Sequence, residues 1–257
     1  MKVAIVQFDI EWGKPLDNIN KVEKLVAQNP KADLYILPEM WSTGFISTPQ
    51  TMAENEQTSV SLDWMKSFTR DNKCAICGSL AVKTADSKFY NRNYFITSET
   101  IQYYDKRHLF THGGEHRSFS AGQSHTIVEW NGFRILLLTC YDLRFPVWSR
   151  FGISGAYDAI IYVANWPTSR QQAWDVLTKA RAIENQCYVI AANRVGKDPN
   201  CSYCGGSVII DPLGNELAKS NAECLVEKTL CIDELNKMRA KFKVLDDRDK
   251  LVDCISV

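Results

Sequence analysis

Apolar residues in this chain gather into short unbroken runs rather than alternating with polar ones. Residues 3–8, 34–37, 135–138, 159–163 and 189–193 follow this pattern, with only Gln7 and Asn193 polar among them. A strand covered on one face alternates apolar and polar positions, so runs without alternation predict strands buried on both faces. Between them the apolar spacing becomes helical. Lys21, Val22, Leu25 and Val26 predict a helix capped by Asp17 or Asn18, and Leu62, Met65 and Phe68 predict another over 59–71. Further helices are expected over 174–185 and from Asp233 to about 243. Strands are expected at 74–82 and 89–97, joined through Asp86-Ser87, and a brief one at 101–104. Residues 127–130 and 133–139 form a hairpin about Asn131-Gly132. Strands at 207–210 and 224–231, with a turn at Leu213-Gly214-Asn215, complete the set. The interval 108–122 is glycine-bearing and polar, an irregular functional loop. Strands mixed with helices in this order predict an α/β fold with two sheets flanked by helices. No repeat or low-complexity linker divides the chain, so 1–257 reads as a single domain. Its charged C-terminal tail, 246–257, either reaches a partner subunit or frays.

Bulk composition narrows the function classes. Thirty basic residues balance thirty acidic ones without blocks of one sign, so nothing invites nucleic acid or an anionic membrane. No apolar run approaches the roughly 20 residues of a membrane helix, and the first apolar run is too short for a signal peptide. Nine irregularly spaced cysteines do not make a secreted disulfide framework. The cytoplasm is the expected compartment.

The chemistry centres on Phe133-Arg-Ile-Leu-Leu-Leu-Thr-Cys140-Tyr-Asp-Leu-Arg144-Phe-Pro146. A buried strand runs into a cysteine and a sharp turn, and Pro146 is suited to start a helix. Backbone N–H groups and a helix dipole ahead of Cys140 would lower its thiol pKa and supply half of an oxyanion hole. A lone strand cysteine more often merely packs. The polar, charged sequel Tyr141-Asp142-Leu143-Arg144 is not what a packing cysteine needs.

Thr139-Cys140-Tyr141-Asp142-Leu143-Arg144-Phe145-Pro146 resembles the nucleophile motif of the nitrilase superfamily, the carbon–nitrogen hydrolases. Leu34-Tyr-Ile-Leu-Pro-Glu39 and Tyr104-Asp-Lys106-Arg-His-Leu-Phe110, followed by Gly114-Glu115, are similar to its other two motifs. Tyr162-Val-Ala-Asn165-Trp166-Pro167 and Arg181-Ala-Ile-Glu-Asn185-Gln-Cys-Tyr-Val189 match again, so the similarity covers Met1 to about Gly214. Three motifs in order are far more specific than any one alone. The resemblance implies a four-layer α-β-β-α sandwich that pairs across a two-fold axis as a homodimer or larger homo-oligomer.

The resemblance also assigns roles. Cys140 is the nucleophile, attacking an amide carbonyl to give a thioester that water then hydrolyses. Glu39, which local sequence alone would leave as a solvent-facing strand end, becomes the base that takes the thiol proton and passes it to the leaving amine. Lys106 becomes the cation beside the developing oxyanion, with the Tyr141 backbone N–H as second donor. Arg107 and His108 read as structural. Glu115 orients Lys106 or helps position amide and water, although its His-Gly-Gly prelude departs from commoner family versions. The loops of Phe45 and Trp166 should converge on the nucleophile, and Asn165 is expected to bind substrate. Arg144 has three open jobs: pairing with Asp142 or another carboxylate, raising thiolate content, or gripping an anionic substrate group with its planar fork.

Metal sites compete with this reading. His112-Gly-Gly-Glu115-His116 fits an H-x-x-E-H pattern, but that needs a helix, and adjacent glycines cost about 1 kcal/mol each there. Cys74-x-x-Cys77 lies in a predicted strand that puts the two on opposite faces, and Cys201-x-x-Cys204 lies in a loop. No metal or cofactor is therefore expected, and Cys204 is a candidate for the pocket mouth.

The expectation is a cofactor-independent cysteine amidase acting on a small-molecule amide. Cys140-Tyr-Asp-Leu-Arg-Phe-Pro-Val-Trp148 and Tyr162-Val-Ala-Asn-Trp-Pro167 resemble the omega-amidases, which open the terminal amide of 2-oxoglutaramate or 2-oxosuccinamate. An N-carbamoyl amine or amino-acid hydrolase is the alternative within the superfamily. A catalytically silent scaffold is the alternative outside it, and the intact Glu39, Lys106 and Cys140 argue against that.

Overall fold

The computed structural model describes residues 1–29, 31–153 and 155–249. The first sheet takes β1 (Lys2–Gln7), β2 (Leu34–Ile36), β3 (Glu54–Asn55), β4 (Ala75–Lys83), β5 (Phe89–Ile96) and β6 (Ile101–Asp105). The second takes β7 (Ile127–Trp130), β8 (Phe133–Thr139), β9 (Ala159–Val163) and β10 (Tyr188–Ala192). A separate ribbon of β11 (Val195–Lys197) and β12 (Ser202–Cys204) follows. β13 (Ser207–Ile210) and β14 (Glu216–Ser220) complete the second sheet, and β15 (Cys224–Thr229) returns to the edge of the first beside β1. The strand orders are β15-β1-β2-β4-β5-β6, with β3 paired to β4, and β14-β13-β10-β9-β8-β7.

Period-two geometry explains the unbroken apolar runs. Val3, Ile5, Leu34, Ile36, Ala75 and Cys77 enter the core between the sheets. Their neighbours Ala4, Val6, Tyr35, Leu37, Cys74 and Ile76 join a second core with helices α1 (Pro15–Ala27) and α2 (Val60–Asn72). β1, β2 and β4 thus face apolar neighbours on both sides, where fully burying one aliphatic side chain stabilises by about 1.5–3 kcal/mol. Cys74 and Cys77 fall on opposite faces, as their spacing requires. The second sheet carries α4 (Gln171–Asn185) on its outer side, with Trp174 and Ala182 fully buried. This is the expected four-layer α-β-β-α sandwich. A four-residue helix α3 (Pro146–Ser149) follows the cysteine turn, and α5 (Ile232–Lys241) comes after β15.

Several boundaries differ from the sequence reading. α1 starts at Pro15 rather than after Asp17 or Asn18, because proline suits the first helical position. Asn18 is buried and spends its side chain outside the helix, accepting from Glu11 N and donating to Glu11 O and Ser42 O, each at 2.8 Å. α5 is preceded by Cys231 at its cap, so Asp233 lies inside the first turn. α4 begins three residues before Trp174. The apolar pattern does not predict strands β3, β11, β12 and β14, which are short and whose partly exposed residues lack an apolar period. The expected tail begins in a 3-10 turn, Val244–Asp247, and from residue 250 onward lies outside the described residues. No helix of the described residues is long and apolar enough to cross a membrane.

The topology concentrates loops at one place. β8, β9 and β10 run parallel, with Thr139 opposite Val163 in register, so the turn after β8 lies beside the segment leading to Asn165. β1, β2 and β4 are parallel in the first sheet. Carboxyl ends of parallel strands are where α/β folds collect ligands.

Candidate active site

β8 ends at Thr139, and the chain enters a 3-10 turn, Cys140–Arg144. Cys140 has φ of 43°, a left-handed conformation that costs a non-glycine residue about 1–3 kcal/mol and persists only when its surroundings impose it. Asp142 supplies much of that imposition. Its buried carboxylate accepts Thr139 N–H at 3.0 Å, Tyr104 O–H at 2.8 Å and His108 N–H at 3.0 Å, and it contacts the His108 ring at 2.8 Å. Phe145 stacks on His108 with centroids 3.8 Å apart, and Arg181 of α4 donates to Leu143 O at 2.7 Å. The turn is thereby tied to the segment bearing Lys106.

Lys106 follows β6 and is fully buried, as are Glu39 after β2, Glu115 and Asn91 of β5. The Lys106 ammonium donates to Glu39 Oε1 at 2.9 Å and to Glu115 Oε2 at 2.8 Å. Asn91 Nδ2 spans the same two carboxylates, at 2.7 Å to Glu39 Oε1 and 3.0 Å to Glu115 Oε1. Backbone donors complete the shell: Asn165 N–H reaches Glu39 Oε2 at 3.0 Å, and Phe110 N–H reaches Glu115 Oε2 at 2.6 Å. Glu115 turns inward because Gly114 adopts φ of 79° between two 3-10 turns, where a side chain would be strained.

Burial works against charge on Lys106, but the Glu115 and Glu39 carboxylates outweigh it and hold the ammonium pKa above its ordinary value. Burial raises the Glu115 carboxyl, with Lys106 opposing. The Cys140 thiol is pushed well above its ordinary 9.0, first by burial and then by the Glu39 charge, against the pull of Lys106. This corrects the expectation of a lowered thiol pKa. The helix ahead of Cys140 is only a five-residue 3-10 turn, and desolvation beside a carboxylate dominates.

Cys140 opens on a cavity of about 380 Å³, within the range of small-molecule sites. Phe45, Lys106, Tyr141, Arg144, Asn165 and Trp166 all line it, so the structure brings the residues singled out from sequence around one space. Glu39 and Glu115 stand behind Lys106. Arg144 makes no ion pair among the described residues. Asp142 is taken up by its four contacts, and the Arg144 guanidinium lies 5.0 Å over the Trp166 ring instead. Pairing with Asp142, one of the three jobs left open for Arg144, is not realised.

Sequence reasoning misses Asn91, Arg170 and Tyr203. Asn91 and Asn93 are fully buried asparagines flanking Arg92 in β5, and the local sequence does not reveal their partners. Arg170 and Tyr203 line the cavity from irregular segments. Cys201 lines it too, whereas Cys204 turns away and bonds Gln171 Oε1 at 3.3 Å. The His112–Glu115–His116 pattern does not form a metal face: Glu115 is buried against Lys106, and both histidines are exposed. Arg107 and His108 hold the loop, donating to Gln123 and engaging Asp142 respectively.

Residues 2–239 match the carbon–nitrogen hydrolase family model, and the chain belongs to that family. It is 40% identical over 258 residues to the omega-amidase YafV of Yersinia enterocolitica, covering 98% of each chain. It is 36% identical over 251 residues to the 2-oxoglutaramate amidase of Bacillus subtilis, covering 95% of this chain and 96% of that one. The crystal structure of XC1258 from Xanthomonas campestris, a CN-hydrolase superfamily protein with an arsenic adduct in its active site, superposes with a TM-score of 0.93. It shares 37% identity, covering 98% of each chain.

Proposed function

We propose that the protein is a cysteine-dependent omega-amidase that converts a short omega-amido 2-oxo acid such as 2-oxoglutaramate to the dicarboxylate and ammonia. The observation that carries this is the Lys106–Glu39–Glu115 cluster beside Cys140, at the floor of a cavity that also holds an arginine without a carboxylate partner among the described residues. The two named amidases among its relatives support the substrate class.

In this reading the resting thiol is neutral, consistent with its raised pKa. As Cys140 Sγ attacks the amide carbon, its proton passes to Glu39. The carbonyl oxygen takes the negative charge, stabilised by Lys106 Nζ and the Tyr141 backbone N–H. The proton held by Glu39 goes to the departing nitrogen, the C–N bond breaks, and ammonia leaves a thioester. Water, deprotonated by Glu39, then releases the acid and restores the thiol. Glu115, bridged to Glu39 by Asn91, holds Lys106 in place. Arg144 receives the substrate carboxylate, with Phe45, Asn165 and Trp166 shaping the space between. The two-fold homodimer implied by the family resemblance belongs to the same proposal, and a light-scattering mass of one protomer would remove it.

Ammonia release from a panel of 2-oxoglutaramate, neutral short amides, N-carbamoyl amino acids and nitriles tests the assignment. The acidic amide should be turned over far faster than the rest. Preference for the carbamoyl compounds would overturn it.

A further inference from the structure

Arg170 is a second guanidinium at the same cavity. It stands at the N-cap of α4, and its carbonyl accepts the Trp166 indole N–H at 2.8 Å, which fixes its backbone against the pocket wall. Its guanidinium lies 5.1 Å over the Phe110 ring, as that of Arg144 lies 5.0 Å over Trp166. Neither arginine has a carboxylate partner among the described residues. Asp198, the acidic side chain that lines the cavity, is committed elsewhere. It accepts the backbone N–H groups of Asn200 and Cys201 at 2.7 Å each, and the Tyr203 hydroxyl at 2.5 Å. Two forks are therefore held against aromatic faces with their donors unpaired by any acid among the described residues.

We propose that Arg170 is a specificity residue that reads the 2-oxo group of the substrate while Arg144 takes its carboxylate, a deepening that rests on the amidase reading above. A plain carboxylate presents one planar pair of oxygens to a guanidinium fork. A 2-oxo acid presents a second pair, made of one carboxylate oxygen and the coplanar ketone oxygen. Two forks match two oxygen pairs. An amide that carries an α-ammonium in place of the ketone, such as glutamine, would set its cation against Arg170 and leave the guanidinium's donors unmatched. The pocket would then reject an abundant amino acid by charge as well as by shape.

The test compares 2-oxoglutaramate with glutaramate, the same chain with a methylene where the ketone stands, in the native protein, Arg170→Gln and Arg170→Lys. In Arg170→Gln the Michaelis constant for 2-oxoglutaramate should rise roughly tenfold or more, the loss of a charge-assisted pair, and that for glutaramate should change much less. Discrimination against glutamine should weaken in the same variant. Arg170→Lys keeps the charge without the fork, so it should lose the preference for the ketone yet still exclude glutamine. Equal losses on both acid amides, or an unchanged ratio in both variants, would overturn this role while leaving the amidase reading intact. A native protein inert toward both compounds would remove the two together.

Discussion

The floor and the rim of the cavity solve opposite problems with the same kinds of side chain. At the floor, Lys106 is fully buried and meets two carboxylates at 2.8–2.9 Å, and each carboxylate is further held by Asn91 and a backbone N–H. At the rim, Arg144 and Arg170 are partly exposed, lie on aromatic rings and pair with no acid among the described residues. A buried charge left unpaired is costly, so the floor is closed upon itself and geometrically fixed. Water still reaches the rim, so its cations can wait there for a ligand. The floor is suited to chemistry common to a whole family, and the rim to the choice of acyl group.

The comparison breaks most sharply at the floor. Cys140→Ala should abolish ammonia release while circular dichroism and the unfolding midpoint stay near native, since the residue occupies a strained φ that alanine tolerates no worse. Native-like turnover would rule out Cys140 as the nucleophile. Lys106→Met keeps bulk but removes the proposed oxyanion donor, so kcat should fall about a hundred- to a thousand-fold with a smaller change in KM. Because the variant leaves Glu39 and Glu115 buried without their cation, thermal unfolding should be measured alongside. An unchanged kcat would make Lys106 purely structural.

At the rim the same logic predicts an effect on binding. Arg144→Lys should raise KM for 2-oxoglutaramate roughly ten- to a hundred-fold by losing the bidentate geometry, with kcat less affected. Neutral short amides should respond little. A loss shared by both kinds of substrate would return Arg144 to the scaffold.

The smallest expected effect concerns pH. Buried thiols ionise in the unfolded chain near 9.0, but burial raises Cys74 to about 12 and pushes Cys77, Cys187 and Cys140 up as well. The native state therefore keeps protons that the unfolded state releases. The contribution of these protonated thiols to native stability is therefore fully present below pH 9.0, where the unfolded chain also keeps them protonated. That contribution is lost progressively as pH rises toward the folded values. Denaturant midpoints measured from neutral pH upward should hold steady in this respect until about pH 9.0 and decline beyond it. The native protein and Cys140→Ala should also show the same thiolate absorbance near pH 9.0, and one extra thiolate in the native protein would mean that Cys140 is already ionised at rest.

Glu39, Lys106 and Cys140 are legible because each lies in a distinctive local string just past the end of a strand. The two sheets are legible because a short unbroken apolar run bounded by turn residues is stable only where both strand faces are covered. Asn91 is not, since it acts across space on residues 52 and 24 positions away. Arg170 sits in a segment whose local sequence does not distinguish a pocket arginine from a surface one. The direction of the Cys140 pKa shift is hidden because motif and dipole are visible in sequence, whereas desolvation by the surrounding layers is not. Asn18 looks like a cap by type, but its side chain is needed to pin the loop at Ser42.

The most direct test asks whether the acyl group is carried on Cys140. Acid-quenching the protein during turnover of 2-oxoglutaramate, followed by peptide mass mapping, reads this directly. The expected result is a thioester on the peptide containing Cys140, formed with release of one ammonia per acyl group. An acyl group on any other side chain would contradict it.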